Sequence, residues 1–484
     1  MSLIDLIYEI ASIVLVINLG LVFLLIFYER RDPARVIAWT ILLLALPLIG
    51  FILYLLLGLH YFRDRRFQLK AKGDRELLQK IVTEQKRAIE VDRALEETPE
   101  LDRFDDLAQL LLSENSAILT RGNHATVFTD GEAKFAALFE VIRSAQSSVH
   151  LEYYIIRNDD LGHRLIAALT EKAKQGVEIR FLHDDLGNNL PKRHYRELIS
   201  AGGRVSGFYR SPIPTVSLRV NYRNHRKLAV IDGRVGFIGG FNIGDEYLGK
   251  GRLGHWRDTA VRIEGKGVAA LQLRFLVDWK YSTNEELGLI PKYFPDLPPA
   301  TDGSRIQVVS GGPDTYWNPT KEQYLKMIGL ARKTFYLQTP YFIPDPSVLD
   351  ALRVAALSGV DVRIMIPAKG DAPFVRFASR SFLGELLDAG AKGYLYTNGF
   401  LHAKTATVDD LCSSIGSTNW DIRSFRWNFE SNAVIYSASF ARQQRAIFEA
   451  DLKDCTELTL ADYRRRSVGE KFAEGFSRLF SGVL

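Results

Sequence analysis

The sequence predicts an α/β fold built twice in one chain and preceded by a two-helix membrane hairpin. Three observations carry that prediction. Two long apolar runs open the chain, helix and strand patterns then alternate in the same order twice, and a motif of histidine, lysine and aspartate occurs once in each repeat.

The hairpin comes first, over residues 1–62. Residues 10–28 are apolar apart from Ser12 and Asn18, and a second apolar run covers residues 36–57. Each has roughly the 20 residues that a helix needs to cross a bilayer. Glu29-Arg30-Arg31-Asp32-Pro33-Ala34-Arg35 lies between them and is long enough to reverse the chain. Tyr28, Trp39, Tyr54 and Tyr61 sit near the ends of the runs, where aromatic rings favour the interface. Asp5 and Glu9 precede the first run, whereas a cleavable signal would carry positive charge there. Arg63, Arg65, Arg66, Lys70 and Lys72 outnumber the loop's Arg30, Arg31 and Arg35. Basic residues stay cytoplasmic, so both termini are expected inside, with the rest of the chain on the cytoplasmic face of a multi-pass membrane protein.

Residues 63–120 are highly charged, with Leu77, Leu78, Ile81, Val82 and Ile89 at helical spacing. They read as a linker helix with a partly buried stripe and a solvated face. The first repeat is assigned to residues 121–298. In it, residues 133–145 read as a helix, 148–156 as a strand, 164–175 as a helix and 177–183 as a buried strand. The second repeat, 299–455, has helices at 321–332 and 347–357 and strands at 335–341 and 360–366. Gly176-Val177-Glu178-Ile179-Arg180 returns as Gly359-Val360-Asp361-Val362-Arg363. Its offset of 183 is close to the 177 that separates the two motif histidines, so a whole half is repeated. Strands alternating with helices imply sheets covered by helices. Asp296-Leu297-Pro298-Pro299 is expected to join the halves. Residues 456–484 read as an amphipathic tail. Phe472, Phe476, Leu479 and Phe480 fall on one helical face after Arg464, Arg465 and Arg466. That face fits either a membrane interface or packing against the preceding domain.

Composition narrows the partners. Of 484 residues, 47% are hydrophobic and 25% charged, which suits globular domains plus some membrane sequence. A net charge of +5 suggests an anionic surface or substrate without demanding nucleic acid. Cys412 and Cys455 are the only cysteines, too few for a disulfide scaffold or a zinc cluster.

The chemistry lies in the duplicated motif. His225-Arg226-Lys227-Leu228-Ala229-Val230-Ile231-Asp232 and His402-Ala403-Lys404-Thr405-Ala406-Thr407-Val408-Asp409 share the pattern His-x-Lys-x-x-x-x-Asp. Gly239-Gly240-Phe241-Asn242 and Gly416-Ser417-Thr418-Asn419 follow at one common distance. A single such match arises by chance in roughly one chain in a few tens; a pair with matched second elements is far rarer. Two histidines and two fixed cations are what phosphodiester chemistry needs in the absence of a metal, and two half-sites in one chain supply them.

These residues resemble the phospholipase D superfamily and, within it, the bacterial cardiolipin synthases. The closer likeness lies in the hairpin, in Asn224-His225-Arg226-Lys227, Gly240-Phe241-Asn242-Ile243-Gly244-Asp245-Glu246-Tyr247 and Trp256-Arg257-Asp258. It continues in Gln338-Thr339-Pro340-Tyr341-Phe342, Asp421-Ile422-Arg423-Ser424-Phe425 and Asn428-Phe429-Glu430. One departure is Asp409-Asp410, where the family has Asp-Gly and a tight turn. The resemblance implies mixed-sheet domains packed as a pseudo-two-fold pair. It implies transfer of a phosphatidyl group between two phosphatidylglycerol molecules at a bacterial inner membrane, giving cardiolipin and glycerol, with no cofactor. The candidate catalytic set is His225, Lys227 and Asp232 with His402, Lys404 and Asp409. Within it the two aspartates are expected to pin their turns. Asn242, Asn419 and Ser417 are expected to cradle phosphate oxygens. By analogy His225 is the nucleophile and His402 the acid and then base, with Asp258 and Glu430 orienting the rings. His150, His183 and His194 lack a lysine partner and are read as structural. A hydrolase, a synthase using other lipids and a non-catalytic lipid-binding scaffold remain open; the modest charge and the hairpin make a nuclease a poor fit.

Overall fold

The computed structural model describes residues 3–28, 33–54, 99–208, 222–298 and 303–481. The basic cluster after the second apolar run, Arg30 and Arg31, Tyr61 and the stripe from Leu77 to Ile89 lie outside them.

The N-terminal unit contains α1 (Leu3–Tyr28), α2 (Pro33–Ala45) and α3 (Pro47–Leu53). The second apolar run is therefore two helices, broken at Leu46. Proline has no N–H, so Pro47 cannot serve the Leu43 carbonyl one turn back. Asn18 of α1 takes over that role. It is fully buried, and its amide donates to the carbonyls of Leu43 at 2.9 Å and Pro47 at 3.0 Å. Trp39 and Tyr54 meet edge to face, ring centroids 5.3 Å apart. Most apolar side chains of this unit face outward, among them Ile13, Val16, Phe23 and Ile26. Among the described residues no helix is long and apolar enough to cross a membrane. The break at Leu46 shortens the second run.

The larger unit is organised by one mixed sheet of fifteen strands. The first half supplies β1 (Thr120–Phe128), β2 (Ser148–Tyr153), β3 (Glu178–Asp184) and β4 (Arg204–Phe208), then β5 (Leu228–Ile231), β6 (Val235–Gly239) and β7 (Ala260–Glu264). The second supplies β8 (Ser304–Gly311), β9 (Thr334–Gln338), β10 (Asp361–Pro367) and β11 (Lys392–Tyr396), then β12 (Thr405–Val408), β13 (Cys412–Gly416), β14 (Glu430–Tyr436) and β15 (Cys455–Leu458). The first half runs in the order β1-β7-β6-β5-β2-β3-β4, and the second in the same order, β8-β14-β13-β12-β9-β10-β11, with β15 added at its edge. The duplication seen in sequence is thus a duplication of topology. The equivalent strands β1 and β8 lie antiparallel to each other, with Thr120 opposite Ile306 and Asn123 opposite Ser304. An antiparallel meeting of equivalent strands is what a two-fold relation between the halves requires.

Each half has its own core. Leu138, Ile142, Leu165 and Leu169 of the helices Gly131–Ser144 and Asp160–Lys174 cover Val149, Leu151, Ile179 and Phe181. In the second half, Tyr324, Met327, Leu349 and Leu352 join Phe335, Leu337, Val362 and Ile364. Helix α4 (Asp105–Asn115) also belongs to that second core through Leu107, Leu111 and Leu112. The last part of the charged linker region is thus buried structure, and it joins the half that is more distant in sequence. A third cluster takes Val230, Ile238, Val261 and Ile263 from the first half and Ile306, Val308, Ile415 and Ala433 from the second. The halves are therefore fused by shared hydrophobic burial as well as by the sheet.

The motif aspartates sit at the far end of the β5–β6 and β12–β13 hairpins. Asp232 accepts from the backbone N–H groups of Gln146, Ser147 and Ser148 at 2.8, 2.7 and 2.8 Å. Asp409 accepts from those of Arg332, Lys333 and Thr334 at 2.8, 2.7 and 2.7 Å, and from Arg103 at 2.6 Å. Each carboxylate thus ties its hairpin to the start of the neighbouring strand. Both aspartates have positive φ, and so do the residues that follow, Gly233 (63°) and Asp410 (58°). The departure from Asp-Gly therefore keeps the same turn. Asp410 tolerates the left-handed conformation, and its carboxylate pairs with Arg445 at 2.9 Å. Asp409→Ala is expected to cost about 3 kcal/mol or more, because three amides and a guanidinium lose one charged acceptor. Asp410→Gly is expected to stay within about 1 kcal/mol of the parent, since relief of the turn offsets a half-exposed ion pair. Thermal unfolding of the two variants checks the contrast.

Candidate active site

Each motif begins where a segment of one half runs alongside a segment of the other. Asn224 forms a parallel bridge with Phe429, and Phe400–Leu401 pairs in parallel with Trp256–Arg257. The backbone N–H of His225 donates to the Phe429 carbonyl at 2.9 Å, and that of His402 to the Arg257 carbonyl at 2.7 Å. The residue after each of those carbonyls is an acid, Glu430 or Asp258. Both acids therefore project beside the histidine of the opposite half.

The side chains complete the crossing. His225 Nδ1 lies 2.9 Å from Glu430 Oε1 and 3.0 Å from Oε2, and His402 Nδ1 lies 2.5 Å from Asp258 Oδ2. All four groups are buried. Counting along the chain puts Asp258 after His225 and Glu430 after His402, but the folded pairing is the exchange of those two. With Nδ1 occupied, Nε2 is left as the reactive nitrogen of each ring.

Lys227 and Lys404 stand two residues after the histidines, immediately before β5 and β12. Lys227 Nζ donates to the His225 carbonyl at 2.6 Å, and Lys404 Nζ donates to the His402 carbonyl. Neither lysine forms an ion pair among the described residues, although both are buried. Burial pushes Lys404 down to about 8 and moves Lys227 well below the usual lysine value, against the pull of Glu430. Burial and the two ammonium groups push His225 well below the ordinary imidazole value and His402 down to about 4. The carboxylates differ. Burial lifts Glu430 to about 7 even though Lys227 opposes it. Burial also pushes Asp258 upward, but Lys404 and His402 outweigh it and hold Asp258 below the usual carboxylate value.

Asn242 and Ser417 of the second elements touch residues that contact the motif histidines. Asn242 accepts from the Ile155 N–H at 3.2 Å and donates to the Tyr247 hydroxyl at 2.9 Å. Asn419 is buried, and its Oδ1 has no hydrogen-bond partner among the described residues. Ser417, expected to add a hydroxyl to a phosphate cradle, is turned the other way. Its Oγ donates to Glu430 Oε2 and accepts from the Ser431 N–H at 3.0 Å. In the first half Gly240 holds that position, where a Cβ would fall 2.1 Å from Asp258 Oδ1. Ser417 therefore steadies an acid and has no hydroxyl proton left for substrate.

Several neighbours were not singled out by sequence reasoning. Tyr247 has its hydroxyl 3.3 Å from His402 Nδ1 while it accepts from Asn242, which links the second element of one half to the histidine of the other. Tyr154 lies edge-on to His225 with centroids 4.9 Å apart and has the Lys227 ammonium 5.1 Å from its ring. Arg226, between the motif His and Lys, is fully buried and pairs with Asp278 at 2.8 Å. Tyr247 lies in the quoted Gly240–Tyr247 stretch and could have been suspected there; Tyr154 carries no local signal. His150 lies in the first half's core, stacked on Phe275 and bonded to Gln272, and burial pushes it down to about 3. Among the described residues no cluster of His, Cys, Asp or Glu could hold a metal ion.

A duplicated mixed sheet that brings two His-Lys half-sites together defines a protein of the phospholipase D type. Residues 138–279 and 324–452 match the family described as cardiolipin synthase, PLD-like domain. Residues 16–58 match the phospholipase D-nuclease N-terminal family. A cardiolipin synthase of Staphylococcus aureus is 46% identical over 474 residues, covering 97% of this chain and 95% of that protein. The major cardiolipin synthase of Bacillus subtilis is 44% identical over 478 residues, covering 98% of each. Among solved structures, the phosphatidylserine synthase of Haemophilus influenzae Rd KW20 shares the fold, with a TM-score of 0.61 at 14% identity over 78% of this chain and 100% of that one. The chain belongs to the cardiolipin synthase family of phospholipase D-like enzymes.

The lysine electrostatics give a signed expectation. Lys404 carries its charge below about pH 8 and loses it above. Binding of tungstate, a phosphate mimic, is expected to weaken as pH rises through that value. Lys404→Arg, whose guanidinium stays charged, is expected to flatten the decline. Calorimetry across the range checks it; an unchanged decline in the arginine variant would assign the loss to another group.

Proposed function

We propose that this enzyme transfers a phosphatidyl group from one phosphatidylglycerol to another, giving cardiolipin and glycerol through a covalent phosphohistidine. The observation that carries this reading is a pair of buried lysines without ion-pair partners among the described residues, flanked by two histidines that acids of the opposite halves orient. A phosphodiester anion supplies the missing negative charge. It also raises the proton affinity of both lysines and both histidines, reversing part of the shifts that burial imposes.

His225 Nε2 attacks phosphorus, and the bond to the glycerol oxygen breaks as His402 gives that oxygen its proton. The second phosphatidylglycerol then enters. His402 takes the proton of its hydroxyl, the oxygen attacks phosphorus, and the bond to His225 breaks. Lys227 and Lys404 hold the non-bridging oxygens and stabilise the charge that grows in both transition states, with Asn242 and Asn419 as amide donors. The contrast between the acids supports this assignment of roles. Asp258 stays ionised and steadies an imidazolium on His402. Glu430 sits close to its own titration near neutrality and leaves His225 neutral, as a nucleophile must be. Asp232 and Asp409 act as turn pins, each holding three backbone amides.

The hairpin anchors the enzyme in the bacterial inner membrane as two spans, with both termini and the active site on the cytoplasmic side. The match to the N-terminal family over residues 16–58 and the outward apolar faces of α1 support the anchor, and the count of basic residues supports the orientation. Reporter fusions at the hairpin loop and at the C terminus test it; an exported C terminus overturns it.

Purified enzyme in lipid–detergent micelles, given phosphatidylglycerol alone with a chelator present, is expected to form cardiolipin and glycerol by mass spectrometry. His225→Ala is expected to lose at least about a thousandfold in rate. Phosphatidic acid in place of cardiolipin would mean a hydrolase. An acid-quenched phosphoenzyme is expected to carry its label on His225, and label on His402 would exchange the two roles.

A further inference from the structure

The C-terminal helix α6 (Val468–Leu479) is docked by its polar side. Glu474 and Ser477 are buried, Glu474 in an ion pair with Arg466. Arg478 reaches Glu385 at 2.7 Å and lies over the Phe382 ring, 4.3 Å from its centroid, so the partner is α5 (Pro373–Leu387). The opposite side is apolar and open. Val468 is 83% exposed, Phe472 72% and Leu479 79%, and Phe476 and Phe480 are also exposed. Phe374, at the start of α5, extends the patch, with its ring centroid 6.3 Å from that of Phe476 and 6.4 Å from that of Phe480. Folding ordinarily turns the apolar stripe of a helix toward the core. Here a capping box fixes the start of the helix at Ser467, and the buried Arg466–Glu474 pair with the half-exposed Arg478–Glu385 pair holds it with the stripe outward.

We infer that this face is a membrane-binding surface that inserts into the interface of an anionic bilayer, separate from the N-terminal hairpin. Three features select a lipid surface over a second copy of the chain. The patch is four phenylalanines with a valine and a leucine, the side chains that partition to the boundary between head groups and acyl chains. It is bordered by cations: Arg465 and Lys471 are exposed and form no ion pair among the described residues, while Arg464, Arg466 and Arg478 pair with Asp388, Glu474 and Glu385. Those two cations match an anionic leaflet, whereas two copies meeting face to face would bring the cations together. Gly469 and Gly475 fall on the same side, and a methyl group added at either α-carbon would meet nothing within 4 Å, so the helix has no neighbour there among the described residues. The surface does not depend on which reaction the site catalyses.

The test reads depth in the membrane without turnover. A nitroxide is placed on Leu479→Cys in the full chain with Cys455→Ser, which leaves only the buried Cys412. The protein is reconstituted in vesicles of phosphatidylcholine and phosphatidylglycerol. The label is expected to relax readily with oxygen and to be protected from a water-soluble nickel chelate, with no broadening between labels. A label fully open to nickel overturns the inference. Protection accompanied by spin–spin broadening overturns it in favour of contact between copies. Because cardiolipin formation is not measured, a failed function assay and a failed depth measurement remain separate results.

Discussion

The exchange of acids between the halves is the constraint on which the rest depends. A histidine that attacks phosphorus needs one ring nitrogen held and the other free. In this protein the holding group is 205 residues from His225 and 144 residues from His402. Those contacts exist because the two halves of the sheet are joined at β1 and β8 and each motif's entry segment runs beside the other half. The third hydrophobic cluster, shared by β5, β6 and β7 with β8, β13 and β14, makes that arrangement rigid. Arg226 adds to it from within the first motif. Its guanidinium pairs with Asp278 and also reaches the Gly311 carbonyl at 3.1 Å in the second half.

Symmetry is kept in the backbone and broken in the side chains. Strand order, turn conformation and the carbonyls that receive the motif histidines correspond between halves. The differences gather around the acids. Glu430 has Ser417 as a donor, while Asp258 has the Thr259 N–H at 2.7 Å and sits against Gly240, where no side chain fits. Ala403 replaces Arg226 in the second motif. A duplicated scaffold thus supplies two equivalent histidines, and a few substitutions around them shift the two acids that hold them in opposite directions.

Much of this was legible in the sequence, for identifiable reasons. The helices and strands at 133–183 and 321–366 follow from periodicity, which burial on one face imposes locally. The motif pairs follow from recurrence. What escaped was set by distance in the chain. Nothing near Glu430 says that it faces His225, and nothing near Asp105 says that α4 enters the core of a half beginning some two hundred residues later. The charged surroundings of α4 concealed its buried side. Ser417 shows the same gap on a smaller scale: its position after Gly416 was correct, but the direction of its hydroxyl depends on a carboxylate thirteen residues away. Leu46-Pro47 could have been read as a break in the second apolar run, because proline alone dictates it.

The crossed pairing also sets a schedule for biosynthesis. Chains emerge from the ribosome N-terminus first, and domains tend to fold as they appear. When the first half is complete, His225 and Lys227 have been made but Phe429 and Glu430, which position His225, have not. Asp258 is present and has no histidine to hold. The nascent protein therefore holds the first motif without the acid that orients its histidine until β14 enters the sheet. A chain that stops before Glu430 lacks both the partner of His225 Nδ1 and the strand that joins β8 to β13.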